Sequence, residues 1–544
     1  MPPRHSYIDH TIVFLLLALF LLAGLAILPY PGIQNDEALF AAAIYAPETT
    51  GHTVKIFQRP VALMLMSYLG TLKAWIYAPV FALWTPSAWS LRVPVLIFGA
   101  LTIFFIFMTL TRWSGRTAAL AAAALLATDA TYLYTTCLDW GPVALQHLLT
   151  VAGVLALVVY SQSGRRRWLA LGFFLFGLAA WDKALFGWTA VGLALATLVL
   201  FPRHLLIHLK WKNLVIATVC FSAGAFPLLR YNVRSHGETL RASQGWSADR
   251  AMILGKAVIF QRSLDGSGLI GYLTFDDPAP AARAPRTRLE RLAVALDFRT
   301  GRQRTSLMFY AFLGAILALP WVWGTRSRSL LCFALIVTAV AWSLMLFGVG
   351  VGASVHHVAL LWPWPQVAVA AAVAGLAERM KRWGPVFAVV VLVLLCQRNL
   401  LCSNYQFSQL IRNGSPYSWS DAIYQLSRDL PAWQARQIVL LDWGMTENLR
   451  LLHRGRLPLV WGADPIFAEP FDERKQSDFK ALLDQPGAVF VSHTDAFQVF
   501  DGINQRRDLA LQTLGYRREP LAVIPDRHRR AVFEVFRVIR AAGP

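Results

Sequence analysis

Asp36 and Glu37 stand side by side in PYPGIQNDEALF, a few residues past an apolar run that closes at Tyr30, Pro31 and Gly32. A second acid, Asp139 in TTCLDWGPVALQH, also stands where an apolar run breaks, and Gly141 and Pro142 shape the turn into the next helix. His356 and His357 repeat the pattern in GASVHHVALLWPWPQ. Cations occupy similar places: Lys183 in AAWDKALFGW, Arg59 in FQRP, and Arg230 and Arg234 at the head of a long arginine-rich stretch. Ionisable groups at the border of hydrocarbon are costly unless they pair or meet water, so each is a candidate for chemistry. A carboxylate there can accept a proton or hold a cation, and a fixed Lys or Arg can neutralise a phosphate. Plainer roles also fit. Asp36 and Asp139 suit helix N-caps, the His pair suits an interfacial hydrogen-bonding pair more readily than a metal site, and Lys183 can pair with Asp182 or snorkel to the surface.

The elements that hold these groups are membrane helices. Hydrophobic residues make up 56% of the chain and charged residues 15%, against about 25% charged in a soluble domain. Mean hydropathy is +0.47. A bilayer asks for roughly 20 apolar residues per helix, and about eleven runs qualify, from 11–28 to 386–400. The first has no small-residue cleavage site after it and reads as a retained anchor. The stretch 61–84 carries Lys73 in its middle and reads as an interfacial helix instead of a span.

The net charge of +20, from 51 basic against 31 acidic residues, recurs between apolar runs. That distribution indicates membrane topology and anionic lipid as partner, not nucleic acid. TRWSGR, SGRRRW, PRHLLIHLKWK, GTRSRS and ERMKRW make every second loop basic. This register puts the N-terminus in the cytoplasm, and it puts Asp36, Asp139, Lys183 and His356 together on the outer face of a plasma (inner) membrane. Two outside loops, 31–92 and 230–304, exceed simple connectors; the second contains GSG and DDPAP. Residues 1–400 form the membrane domain. Residues 401–544 read as a soluble extracytoplasmic α/β domain, with strands at QIVLLDWG, LPLVWG, GAVFVS and AVFEVFRVI and a helix at 446–453. Five scattered cysteines, Cys137, Cys220, Cys332, Cys396 and Cys402, lack metal-ligand spacing and read as packing residues.

The order of NDEALF, QRP, the run SLRVPVLIFGALTIFFIFMTLTRWSGRTAALAAAALLATD and LDWGPVAL resembles the GT-C superfamily of membrane glycosyltransferases. It is most similar to the branch of protein O-mannosyltransferases and lipid A aminoarabinose transferases. The resemblance implies a GT-C-like polytopic fold, Asp36 as the catalytic carboxylate beside Glu37, and Asp139 as the second-loop acid. It departs from the family pattern after the acidic pair, where Leu39 and Phe40 replace the usual Arg and Tyr. The implied reaction moves a sugar from a polyprenyl-phosphate donor to a lipid, glycan or protein acceptor. Such a donor already carries a good leaving group, so the protein must position the acceptor, remove its proton and steady the phosphate. Asp36 suits the base; Lys183, Arg59, Arg230 and Arg234 suit the phosphate. No cofactor is required, although a divalent cation could bridge Asp36 or Asp139 to phosphate. A transporter or lipid flippase is the main alternative, but it would put charges near the midplane and show repeat symmetry, and neither is visible. A sensory membrane protein with a ligand-binding outer domain is a third reading.

Overall fold

The computed structural model describes residues 5–242, 245–275, 282–467 and 469–541, and the DDPAP stretch lies outside them. Helices dominate through Asn413, because backbone in lipid must satisfy its own hydrogen bonds. Tyr7–Ile27, Ala88–Trp113, Ala144–Ser163, Arg328–Phe347 and Lys381–Asn413 are each long and apolar enough to cross a membrane. Three bent pairs bring the number to as many as eight: Phe186–Leu200 with Pro202–His208 (102°), Trp211–Gly224 with Phe226–Arg234 (74°), and Val355–Leu361 with Trp364–Arg379 (47°). Pro202, Pro227 and Pro363 stand at these breaks, where a missing N–H and a fixed φ interrupt a helix. The expected runs fall in helices, but those at 117–133, 214–229, 307–323 and 358–376 are each divided between two or more helical segments. The chain is a multi-pass membrane protein.

Small residues set the close crossings. A Cβ on Gly177 would lie 2.2 Å from the Phe221 carbonyl, and one on Gly224 would lie 2.4 Å from that of Phe174. The helices Arg166–Asp182 and Trp211–Gly224 therefore meet backbone to backbone. Alanines 118, 119, 121, 122 and 123 are all buried, which lets Arg116–Thr128 pack at the centre of the bundle.

The segment 61–84 is not one interfacial helix. β1 (His52–Ile56) and β2 (Arg59–Met66) form an antiparallel hairpin, β3 (Leu69–Gly70) joins its edge, and the helix Leu72–Leu83 follows. Phe57 and Gln58 turn the hairpin with φ of 47° and 62°, the left-handed conformation that two-residue hairpin turns require. The last membrane helix does not stop at 400 but continues to Asn413, since its polar outer turns pack against protein and keep the helical period.

Beyond Gly414 lies an α/β unit. Its sheet has the order β5-β4-β6-β8-β7, built from β4 (Gln437–Leu440), β5 (Leu459–Trp461), β6 (Ala488–His493), β7 (Tyr516–Pro525) and β8 (Ala531–Arg540). β4 runs parallel to β5 and β6, whereas β8 pairs antiparallel with β6 and β7. Leu440, Leu449, Val491 and Phe533 pack one face, and Phe479, Phe490, Leu511 and Phe536 pack the other.

Candidate active site

The acidic loop is shaped from below by Arg92. This side chain is fully buried in the helix Ala88–Trp113. Its guanidinium donates to the carbonyls of Leu28 (2.6 Å), Pro31 (3.0 Å) and Gly32 (2.7 Å), and it forks the Glu37 carboxylate at 2.5 and 3.0 Å. A short helix, Asn35–Ala38, then begins with a capping box. The Gln34 side chain accepts from Asp36 N at 2.5 Å, and Gln34 N donates to Glu37 Oε1 at 2.8 Å. Glu37 thus points inward with both oxygens engaged. Neighbouring helical positions diverge by about 100°, so Asp36 points elsewhere and stays half-buried. Among the described residues, the hydrogen-bond partner of its carboxylate is Gln34 Nε2, at 3.5 Å. Burial raises the Asp36 pKa above 3.8, and the nearby Lys183 charge opposes that rise.

Lys73, from the helix Leu72–Leu83, joins this loop to the second acid. Its ammonium donates to Asp139 Oδ2 at 2.6 Å and to the Glu37 carbonyl at 3.1 Å. Asp139 Oδ1 in turn accepts from Val143 N and Ala144 N, both at 3.0 Å, and so caps the helix Ala144–Ser163. Asp139 itself has φ 45° and Gly141 has φ 71°, a tight turn that Asp and Gly tolerate best. A Cβ on Gly141 would strike the His356 ring at 2.4 Å, so the second acidic loop presses directly on the histidine segment.

Lys183 completes the cluster. It is buried at the end of the helix Arg166–Asp182 and donates to the Gly141 carbonyl. Its charge interacts with Asp182, Asp139 and Asp36. His356 hydrogen-bonds Ser354 at 2.8 Å and lies 4.9 Å from the Trp140 ring; His357 lies 4.3 Å from His356, ring to ring. Asp36, Asp139, Lys183 and His356, four residues from distant parts of the chain, therefore gather at one end of the bundle. Of the four acids here, Glu37, Asp139 and Asp182 are fully buried; Asp36 alone is partly open.

Among the described hydrogen bonds and ion pairs, none joins the remaining phosphate candidates to Asp36 or Asp139. Arg230 and Arg234, on the helix Phe226–Arg234, face His52 of β1. Arg230 Nε is buried without a partner. Arg59 is exposed next to the hairpin turn, five residues along β2 from the buried Met64, a span of about 16 Å. Among the described contacts nothing ties Arg59 to Asp36 or Asp139.

Arg92, Lys73 and Asp182 belong to the cluster but were not among the site residues expected from sequence, although Lys73 and Asp182 stood out there as charges in apolar surroundings. The signal was present, since ionisable groups inside apolar runs must find partners. A resident cation fits this donor set poorly. Asp139 already shares its oxygens among Lys73 and two backbone N–H groups, and among the described residues no three His, Cys, Asp or Glu side chains converge. At Asp139 a divalent ion would have to displace Lys73; the Asp36 carboxylate has no contact with Lys73 among the described hydrogen bonds.

The fold is GT-C-like. Residues 69–226 match the family described as dolichyl-phosphate-mannose-protein mannosyltransferase. ArnT from Cupriavidus metallidurans, solved bound to undecaprenyl phosphate, superposes with a TM-score of 0.54 at 16% identity over 98% of both chains. The oligosaccharyltransferase AglB from Archaeoglobus fulgidus, in complex with an inhibitory peptide and a dolichol-phosphate, aligns at 13% identity over 90% of this chain and 70% of its own, with a TM-score of 0.48. The arabinofuranosyltransferase AftD from Mycobacteria covers 98% of this chain and 40% of its own, at 13% identity and a TM-score of 0.48. Comparison with curated protein sequences gives no match.

Proposed function

We propose that the chain is a glycosyltransferase that moves a sugar from a polyprenyl-phosphate donor to an acceptor hydroxyl or amine on a lipid, glycan or protein. One observation carries the reading: Asp36 is the least buried acid residue of a cluster whose other acids are fully buried, and Lys183 lies within its field. In the reaction the acceptor O–H or N–H gives its proton to Asp36, and its lone pair forms the bond to the anomeric carbon. The bond from that carbon to the phosphate oxygen breaks, and polyprenyl phosphate leaves with the electron pair. Attack from the face opposite the phosphate inverts the anomeric centre. Lys183 neutralises the departing phosphate, with Arg230 and Arg234 guiding the headgroup from the hairpin side; Arg59 serves as an outlying cation.

Asp139 acts as an orienting acid. It holds Lys73 beside the Asp36 loop and caps the helix that follows. Glu37 shapes the loop through Arg92. His356 and His357 border the acceptor side against Trp140. The alternation of basic loops supports a plasma (inner) membrane setting with the N-terminus in the cytoplasm and the α/β unit outside.

The test uses the purified chain in nanodiscs with radiolabelled polyprenyl-phosphate mannose and polyprenyl-phosphate aminoarabinose, and envelope lipids, glycans and proteins as acceptors. Label should move to an acceptor as free polyprenyl phosphate accumulates. Donor crossing the bilayer with its sugar–phosphate bond intact would overturn the reading in favour of a flippase.

A further inference from the structure

The α/β unit touches the acidic loop itself. Its helix Thr446–Leu452 is preceded at the cap position by Met445, which supplies no side-chain cap. The cap comes from the membrane domain instead: Asn35 Oδ1 accepts from Glu447 N at 3.0 Å. Asn35 is the residue immediately before Asp36. One position on, Asn448 Nδ2 donates to the Ile33 carbonyl at 2.9 Å and to the Gly444 carbonyl at 2.7 Å. Both asparagines are buried, so water cannot replace either bond cheaply.

Further contacts close the same junction. Gly32 N donates to the Trp419 carbonyl at 2.7 Å. A Cβ on Gly32 would sit 2.1 Å from the Ser420 carbonyl, so only glycine allows this approach. Tyr424 reaches the Pro31 carbonyl at 3.4 Å, and Leu451 packs into the apolar cluster of Ile33, Ala38, Phe40 and Ala41. The loop 31–38 is therefore gripped from two sides, by Arg92 of the membrane domain and by Thr446–Leu452 of the α/β unit.

We infer that the α/β unit is a brace for the reaction proposed above, with Asn35 and Asn448 as positioning residues that hold the turn presenting Asp36 toward its substrate. The inference rests on that reading of Asp36. The reciprocal cap makes the coupling two-way: loosening the helix Thr446–Leu452 frees the loop, and loosening the loop uncaps the helix. A missing cap weakens a helix end, and a reacting group displaced by about 1 Å loses up to about a hundredfold in rate.

The test compares full-length parent, Asn35→Ala and Asn448→Ala in nanodiscs by hydrogen exchange and by turnover of radiolabelled polyprenyl-phosphate sugars. Both variants should speed exchange across residues 33–40 about tenfold or more and leave exchange in the helix Arg328–Phe347 as in the parent. Both should lower kcat about ten- to hundredfold with KM for the donor nearly constant. Because burial raises the Asp36 pKa, a loosened loop should also move the acid limb of kcat toward lower pH. Unchanged exchange in the loop would overturn the brace, and so would parental kcat with an unmoved acid limb. Failure of the underlying reading has a different signature, namely parental turnover by Asp36→Asn in the same assay.

Discussion

The ammonium of Lys73 stands 2.6 Å from Asp139 Oδ2 and 3.1 Å from the Glu37 carbonyl, so one buried cation ties two acidic loops that lie about a hundred residues apart. Removing either partner leaves the other charge buried and unpaired. Lys73→Met and Asp139→Asn should each lower the Tm, and the double variant should lose less than the sum of the two. Strict additivity would show that the pair does not couple.

Glu37 and Arg92 form a second buried pair, and here a structural effect should separate from a chemical one. Glu37→Gln strands the Arg92 guanidinium among backbone carbonyls, with an expected loss of about 3–5 kcal/mol in stability. Thermal unfolding of the purified variant measures it. A Glu37→Gln protein as stable as the parent yet inactive would move Glu37 from the scaffold into the chemistry.

The pH profile follows from Asp36. A base works only when deprotonated, so activity falls as pH drops through its pKa. Burial raises that pKa above 3.8, which places the acid limb of kcat/KM above the ordinary carboxylate range. A limb at or below the ordinary value would mean that another group, or a fully hydrated Asp36, accepts the proton.

Glu290 offers an acid-stability test at a residue without a proposed part in the chemistry. Burial alone would raise its pKa, but bonds from Arg283, Arg286 N and Tyr30 bring it down to about 2. A depressed carboxylate stabilises the fold above its unfolded value near 4.5 and loses that contribution as pH falls toward about 2. Glu290→Gln should therefore unfold at a lower temperature than the parent at neutral pH, and the gap should close between pH 4.5 and 2. A gap independent of pH would assign the effect to packing.

Much of this was legible before the structure. Apolar runs gave the helices, because hydrocarbon permits few alternatives, and the acids at helix ends pointed to one face through the basic-loop alternation. Strands β4, β5, β6 and β8 were visible as the short apolar runs in QIVLLDWG, LPLVWG, GAVFVS and AVFEVFRVI. β7 was not, since Arg517, Arg518 and Glu519 break its pattern and its pairing with β8 supplies the stability. The β1–β2 hairpin was hidden by an apolar stretch long enough for a helix, and by a turn that uses Phe57 and Gln58 where Asn and Gly are usual.

Partnerships were the part sequence could not supply. Arg92 looked like the flank of a span and Lys73 like an anomaly within an apolar stretch, because an ion pair across long sequence separation has no local signature. The same holds for Asn35 and Glu447, whose bond joins residues 412 positions apart.

The most direct measurement is sugar transfer by Asp36→Asn beside the parent and Asp139→Asn, each purified in nanodiscs with radiolabelled polyprenyl-phosphate sugars and shown by melting temperature to be folded. The structure predicts that Asp36→Asn loses about two to four orders of magnitude in transfer at near-parental Tm, with Asp139→Asn impaired in both. Parental transfer by Asp36→Asn would contradict the account at its centre.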